Sequence, residues 1–470
     1  MGKSQIFEAR SQLPVSAEEL FAWHAREGAF ERLMPPWESA QVEERHGEGI
    51  REGARLVLRM HLGPVPVRWV AQHTRYVPGS LFQDVQVEGP FAKWVHTHRM
   101  WNDASAAGSV LEDEVEYALP VGALGRLAGG GYARQRLERM FAYRHALTRN
   151  DVSRHAAFAG QKPLTVAISG ASGLVGSALV PFLTTGGHRV RRLVRGKPEA
   201  GDIAWAPGRG EMDLPALEGV DAVVHLAGAP IADGRWTGER KELIRRSRTE
   251  GTRVLCEALS RLARPPKVLV SGSAIGFYGS RGDEVLTEAS APGSGFLADV
   301  TREWEAATAP AEKAGIRVVH LRTGVVLSAR GGALAKMLPA FLAGGGGRIG
   351  DGQQWMPWVS IEDLVGLIHF ALFTPSLRGP VNAVAPHSVR QEDFARTLGQ
   401  VLSRPALVPL PAAAVRTLFG EMGDATLLAS THIRPEAAER QGFTFLHPSL
   451  EQTLRFTLGK TAEGPRFRFA

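Results

Sequence analysis

The stretch Thr165-Val166-Ala167-Ile168-Ser169-Gly170-Ala171-Ser172-Gly173-Leu174-Val175-Gly176 decides how the larger part of this chain folds. Val166 to Ser169 have strand character and run into glycines spaced three apart, after which a helical apolar pattern begins. Glycines so placed permit a tight strand-to-helix turn, let backbone approach a phosphate, and let the helix pack closely on its sheet. The helix start also turns unpaired N–H groups and the positive end of its dipole toward an anion. A dinucleotide pyrophosphate is therefore expected on Gly170, Ser172, Gly173, Leu174, Val175 and Gly176. A lone glycine turn would read the same, but here further βα units follow at regular spacing.

Residues 164–187 carry no charge, a run long enough to cross a bilayer. Its glycines and Pro181 suit a buried strand, turn and helix better than a lipid-facing helix, so no membrane span is expected. At 470 residues the chain has room for two or three domains. Its 44% hydrophobic and 22% charged residues are ordinary for a globular protein. The first residues lack an apolar signal region, and the single Cys256 excludes an internal disulfide, so a cytoplasmic location is expected. The net charge of +7 comes mostly from dispersed arginine with no nucleic-acid-binding motif beside it, so no nucleic acid partner is expected.

Residues 1–150 form one expected unit. Ser16-x-x-Glu19 reads as a capping box ahead of Leu20, Phe21 and Trp23. Strand-like runs follow at 54–61, 65–73, 81–87, 91–100 and 110–119, and a helix is expected over 132–147. The stretches LPVSAEELFAWH, GPFAKWVHTHRMW and EYALP give this part a resemblance to the START-like (SRPBCC) helix-grip superfamily. That resemblance implies a cavity for an apolar ligand, with Trp69, Phe82, Phe91 and Trp94 as candidate lining or as plain core. His96-x-His98 sets two imidazoles on one strand face, but no third ligand has a readable spacing, so no metal is expected.

Residues 151–163, polar and basic, read as a linker. The second strand of the βαβ pattern, 189–194, ends at Arg195 where an acidic residue would meet a ribose hydroxyl. A guanidinium suits a 2′-phosphate instead, which favours NADP, with Asp202 as the residue that could restore NAD. Further on stand Leu226-Ala227-Gly228 after a strand, Arg248 in a long helix, and Val325 in LRTGVVL. With HLAG, SGSAIGFYG, GRWTGERKELIRRSRTEGT, GDGQQWMPWVSIEDLV and GPVNAVAP, the chain from 164 onward resembles the atypical epimerase-like branch of the extended short-chain dehydrogenase/reductase superfamily. The resemblance implies cofactor contacts at Leu226, Ala227, Gly228, Arg248 and Val325. The expected fold class is α/β: a doubly wound Rossmann parallel sheet (164–390) with a small C-terminal substrate domain (391–470), preceded by an α+β helix-grip domain.

That superfamily uses a tyrosine with a lysine four residues on, plus a serine; the ammonium favours the phenolate and so proton transfer. No tyrosine here has that lysine, and the corresponding place reads Phe296 to Arg302. Ser273 stands where the family serine would, and Tyr278 is a candidate replacement acid with Arg302 or Arg322 as its cation. Asp299 and Glu288 are further proton carriers to consider. Two readings stay open: an NADP-dependent oxidoreductase or nucleotide-sugar-epimerase-like enzyme for a small molecule, or a catalytically inactive NADP-binding sensor or scaffold.

Overall fold

The computed structural model describes residues 4–38, 40–62, 65–105, 107–120, 122–460 and 464–469, with the side chains of 122–128 excepted. Two units emerge: Met1–Lys162, Pro181–Gly187 and Arg455–Ala470 form the front unit, Pro163–Val180 and His188–Leu454 the back unit.

In the front unit β1 (Gln5–Leu13), β2 (Ala40–His46), β3 (Arg55–Leu62), β4 (Val65–Val77), β5 (Leu81–Glu88), β6 (Lys93–Asn102) and β7 (Ser109–Ala118) form an antiparallel sheet. β2 to β7 run in sequence order, and β1 returns to pair with β7. Between β1 and β2 lie α1 (Ala17–Ala25) and α2 (Ala29–Leu33). The capping box closes as expected, with the Ser16 hydroxyl accepting from the Glu19 N–H at 3.2 Å. The long helix α3 (Gly122–Ala156) packs Leu137 and Phe141 against Phe7, Val115 and Tyr117 of the sheet. Burying one such side chain stabilises by roughly 1.5–3 kcal/mol.

Three expectations are corrected here. Residues 151–156 are not linker but the last turns of α3, because Val152 is buried and Asp151 forms a buried ion pair with Arg32 at 2.6 Å. The tail is not wholly part of a C-terminal domain: strand Arg466–Phe469 pairs with β1, Phe469 opposite Phe7. β1 and β2 add strands that the apolar pattern did not indicate.

The back unit holds β8 (Thr165–Ser169), β9 (Arg189–Val194), β10 (Ile203–Ala206), β11 (Glu211–Met212), β12 (Ala222–His225) and β13 (Val268–Ala274). Its sheet runs β11-β10-β9-β8-β12-β13, then strands Arg317–Thr323 and Gly379–Ala383. All neighbours are parallel except β10 and β11. Successive strands step one way from β8 and then the other from β12, so the switch point lies between those two, where such sheets take dinucleotides. Helices α4 (Leu174–Thr185), α5 (Leu214–Leu217), α6 (Gly238–Leu259), α7 (Phe296–Ala306) and α8 (Ala309–Lys313) connect these strands. Residues 296–313 form two helices and not one, since Pro310 near the start of α8 cannot donate into a continuous helix. Cys256 is buried in the core, which pushes its thiol up to about 12. Among the described residues no helix is long and apolar enough to cross a membrane.

Candidate nucleotide and catalytic site

β8 hands over to Gly170, whose φ of 71° is the left-handed conformation that favours glycine. A Cβ at Gly170 would stand 2.8 Å from the Leu226 carbonyl carbon, so this turn and the loop after β12 meet backbone to backbone. A Cβ at Gly176 would fall on the Gly170 carbonyl oxygen, so α4 can begin here only with a hydrogen at that position. Ser172 and Gly173 are exposed, while Leu174 and Val175 are half-buried in the first turn of α4.

One hydroxyl couples the two loops. Ser169 Oγ accepts from the N–H groups of Leu226 at 3.1 Å and Ala227 at 3.3 Å, and lies 2.6 Å from His225 Nδ1. On the other side of that ring, His225 Nε2 is 3.0 Å from Thr252 Oγ1, which also accepts from Trp304 Nε1 at 2.9 Å. Burial holds His225 down at about 4, so the imidazole is neutral at pH 7. The consistent assignment has Ser169 donating to Nδ1 and Nε2–H donating to Thr252. His225 is thus a positioning residue for the turn, one that sequence reasoning quoted within HLAG without assigning it a role.

Arg248 fixes the same loop. Its Nη1 donates to the carbonyls of Ala229 at 3.0 Å and Ile244 at 3.1 Å, and its guanidinium lies beside Gly228. Burial lowers this guanidinium to about 10. Val325 opens strand Val325–Leu327, and a Cβ on Gly332 would meet both Leu174 at 3.1 Å and the Val326 carbonyl at 3.6 Å. That neighbourhood therefore adjoins the start of α4. The structure gathers residues 170–176, Leu226, Ala227, Gly228 and Arg248 around the ends of β8 and β12, with Arg195 after β9, and the hydrogen-only positions at Gly170 and Gly176 fit a pyrophosphate approaching the backbone.

Beyond β9 the arginines divide. Arg192 Nε and Nη2 hold the Asp202 carboxylate at 2.8 and 3.0 Å, and Arg191 donates to the Gly201 and Ala216 carbonyls. Burial pushes the Asp202 carboxyl up, but Arg192 and the Glu199 N–H outweigh it and leave it lowered. Asp202 is therefore committed to Arg192. Arg195 is exposed and has no hydrogen bond or ion pair among the described residues.

Ser273 and Tyr278 belong to one buried polar network. Ser273 Oγ donates to Glu305 Oε1 at 2.6 Å, and Arg322 grips both oxygens of Glu305 at 2.8 and 2.9 Å. Arg322 Nη1 also donates to the Tyr278 hydroxyl at 3.0 Å, which donates to Asn382 Oδ1 at 2.7 Å. The Asn382 N–H in turn reaches Glu288 at 2.9 Å. Burial pushes Glu305 up, yet Arg322 and Ser273 bring it below the usual carboxylate range. Burial raises Tyr278, whose side chain is fully enclosed, and burial likewise raises Glu288. Arg322, not Arg302, is the cation here, since Arg302 pairs with Asp299 on the surface.

Glu305 was missed from the sequence. The readable signal was a carboxylate on the α7 face that also carries the buried Ala298 and Thr301. Trp358 is core, donating to the His387 carbonyl, while Trp355 stacks on His432 at 4.0 Å. Asp363 accepts from the N–H groups of Leu446 at 2.8 Å and His447 at 3.0 Å. In the front unit Trp69 packs edge to face on Phe91 and Trp94, with Trp69 and Trp94 centred 5.2 Å apart. Trp94 and Phe82 are buried, while Trp69 and Phe91 are half-buried against that core.

Residues 166–383 match the model of the NAD dependent epimerase/dehydratase family. An epimerase family protein of Mycobacterium bovis is 44% identical over 292 residues, 62% of this chain and 96% of the relative. The chain belongs to the epimerase family. Human epimerase family protein SDR39U1 is 35% identical over 62% of this chain and 99% of its own length. Residues 410–457 match a domain of unknown function, DUF1731, and residues 13–141 match polyketide cyclase / dehydrase and lipid transport proteins. A Corynebacterium glutamicum structure described as a nucleoside-diphosphate sugar epimerase covers 96% of this epimerase-family chain and 90% of its own, with TM-score 0.78 and 34% identity. The structure of human SDR39U1 with NADPH matches 63% of this chain and 99% of its own, with TM-score 0.59 and 33% identity.

Proposed function

We propose that the back unit binds NADP(H) and acts on a small molecule as an oxidoreductase or nucleotide-sugar-epimerase-like enzyme. The observation that carries NADP over NAD is the division of charges after β9: Arg195 is exposed and uncommitted, while Asp202 is neutralised by Arg192. Arg195 supplies the partner for a 2′-phosphate, and no free carboxylate stands there to accept from a ribose hydroxyl. The NADPH bound by the human relative, 33% identical, supports the same choice. When bound, the nicotinamide accepts or gives a hydride.

The chain's own residues then set the substrate oxygen. Glu305 is ionised and accepts the Ser273 hydrogen bond, which leaves the Ser273 Oγ lone pairs to accept from an alcohol. On this reading Ser273 touches substrate. Tyr278, enclosed and already donating to Asn382, holds Arg322 and through it Glu305, a positioning role in place of the acid expected from the sequence. The second reading, a binding protein without turnover, draws on the same enclosure of Tyr278 and on the missing tyrosine–lysine pair. An apolar ligand in the front unit draws no support from the aromatics, which pack on one another.

The test is direct. NADPH should raise the melting temperature more than NADH does, and Arg195→Glu should erase the difference; equal shifts in the parent chain refute NADP preference. Against a panel of alcohols and carbonyls, Ser273→Ala should lower turnover by about tenfold or more. An NADPH shift with no turnover on any of them selects the binding-protein reading.

A further inference from the structure

The front unit buries an unusual concentration of imidazole. Opposite residues of paired antiparallel strands share a face of the sheet. The registers place Asp84 opposite His96 across β5 and β6, and His98 opposite Asp113 across β6 and β7. Asp84, His96 and His98 each offer one ligand atom, all within 4.8 Å of one another. The third group that the sequence spacing did not reveal is thus delivered by strand pairing, from the β-hairpin partner of the His96-x-His98 strand.

We propose that Asp84, His96 and His98 bind one divalent first-row transition-metal ion, with Asp113 as the carboxylate that orients both imidazoles. His96 turns Nε2 to Asp113 Oδ1 at 3.0 Å and Nδ1 toward Asp84 Oδ1 at 3.5 Å. His98 turns Nδ1 to the same Asp113 oxygen at 2.5 Å, which leaves its Nε2 as the ligand atom. Metal-binding imidazoles characteristically direct their second nitrogen to a carboxylate, which is what Asp113 provides for two rings at once. Asp113 is itself held by His145 Nε2 at 2.7 Å, and His145 Nδ1 by Ser11 Oγ at 2.9 Å.

The chemistry of the set selects the ion. Two neutral imidazoles and a carboxylate suit Zn²⁺, Fe²⁺ or Co²⁺ above Ca²⁺ or Mg²⁺, and three protein ligands leave a coordination position open. The Asp84 side chain, 16% exposed against 5% for His96, marks the side from which an ion enters.

The experiment uses the full chain, stripped with a chelator and titrated with Zn²⁺ against a chromophoric competitor, and separately loaded with Co²⁺. One equivalent should bind, with visible Co²⁺ absorption and hyperfine-shifted proton signals from two imidazoles. Asp84→Asn and His98→Gln should weaken binding about 100-fold or more, and Asp113→Asn on the order of 10–100-fold. His46→Gln, at an exposed imidazole, should leave it unchanged. Circular dichroism of each metal-free variant checks that it folds. No stoichiometric uptake by the parent, or shifted signals traced to His46, overturns the site; so does a folded Asp84→Asn chain that binds as tightly as the parent. The Co²⁺ signals decide the matter in the parent even where a variant fails to fold.

Discussion

At the scale of single residues, the positions that decide function are those where one atom more or less matters. Gly176→Ala would drive a methyl into the Gly170 carbonyl oxygen and the Ala171 backbone. The expected cost is about 1–3 kcal/mol of stability, with the NADPH thermal shift lost; urea unfolding and melting with and without NADPH measure both. The glycine spacing was legible because its consequence is local: a strand, a turn and a helix start are neighbours in sequence. Glu305 was not, because its partners Ser273 and Arg322 come from β13 and strand Arg317–Thr323, and only the parallel sheet sets those strands side by side. The surroundings of Tyr278 were hidden for a related reason: burial and two hydrogen bonds occupy a hydroxyl that the sequence alone leaves free.

At the scale of elements, side chains that join separate segments carry the stability. Asp363, fully buried near the start of its helix, accepts from two backbone N–H groups of the 446–447 loop. Asp363→Asn would turn one acceptor into a donor facing a donor, for a loss of about 1–3 kcal/mol in the urea unfolding of the back unit. His225 links β8, β12, α6 and α7 through Ser169, Thr252 and Trp304. Its imidazole is held near 4 in the fold but titrates near 6.5 once unfolded. Between those limits the unfolded chain binds more protons, so stability is complete above about 6.5 and falls as pH drops toward 4. Unfolding measured at pH 7, 6 and 5 should show that slope, and His225→Gln should flatten it. The helices and strands of the back unit were legible from their apolar periods. β1 was not, because its inward positions include Ala9 and Ser11, small or polar side chains that dilute a two-residue alternation. β2, exposed along its length at the sheet edge, has no apolar face to read.

At the scale of the molecule, sequence order and unit membership part company. The front unit draws on residues from both ends of the chain, with the back unit encoded between them. No periodicity in Arg466–Phe469 could announce its partner, since a four-residue alternation of arginine and phenylalanine names no neighbour. Removing residues 455–470 would bare the edge of β1 and uncover Phe7, which packs on Phe467 and Phe469 with ring centres 5.5 and 5.0 Å away. The expected result is aggregation of the truncated chain, read by light scattering, because an open sheet edge templates pairing with other chains.

The same strand sets a timetable for synthesis. During synthesis the sheet of β1 to β7 has to wait with one margin unsealed until residues 466–469, made after the back unit, leave the ribosome. Translation speed and chaperone cover over that interval therefore bear on yield more heavily than in a protein whose domains are finished one after another.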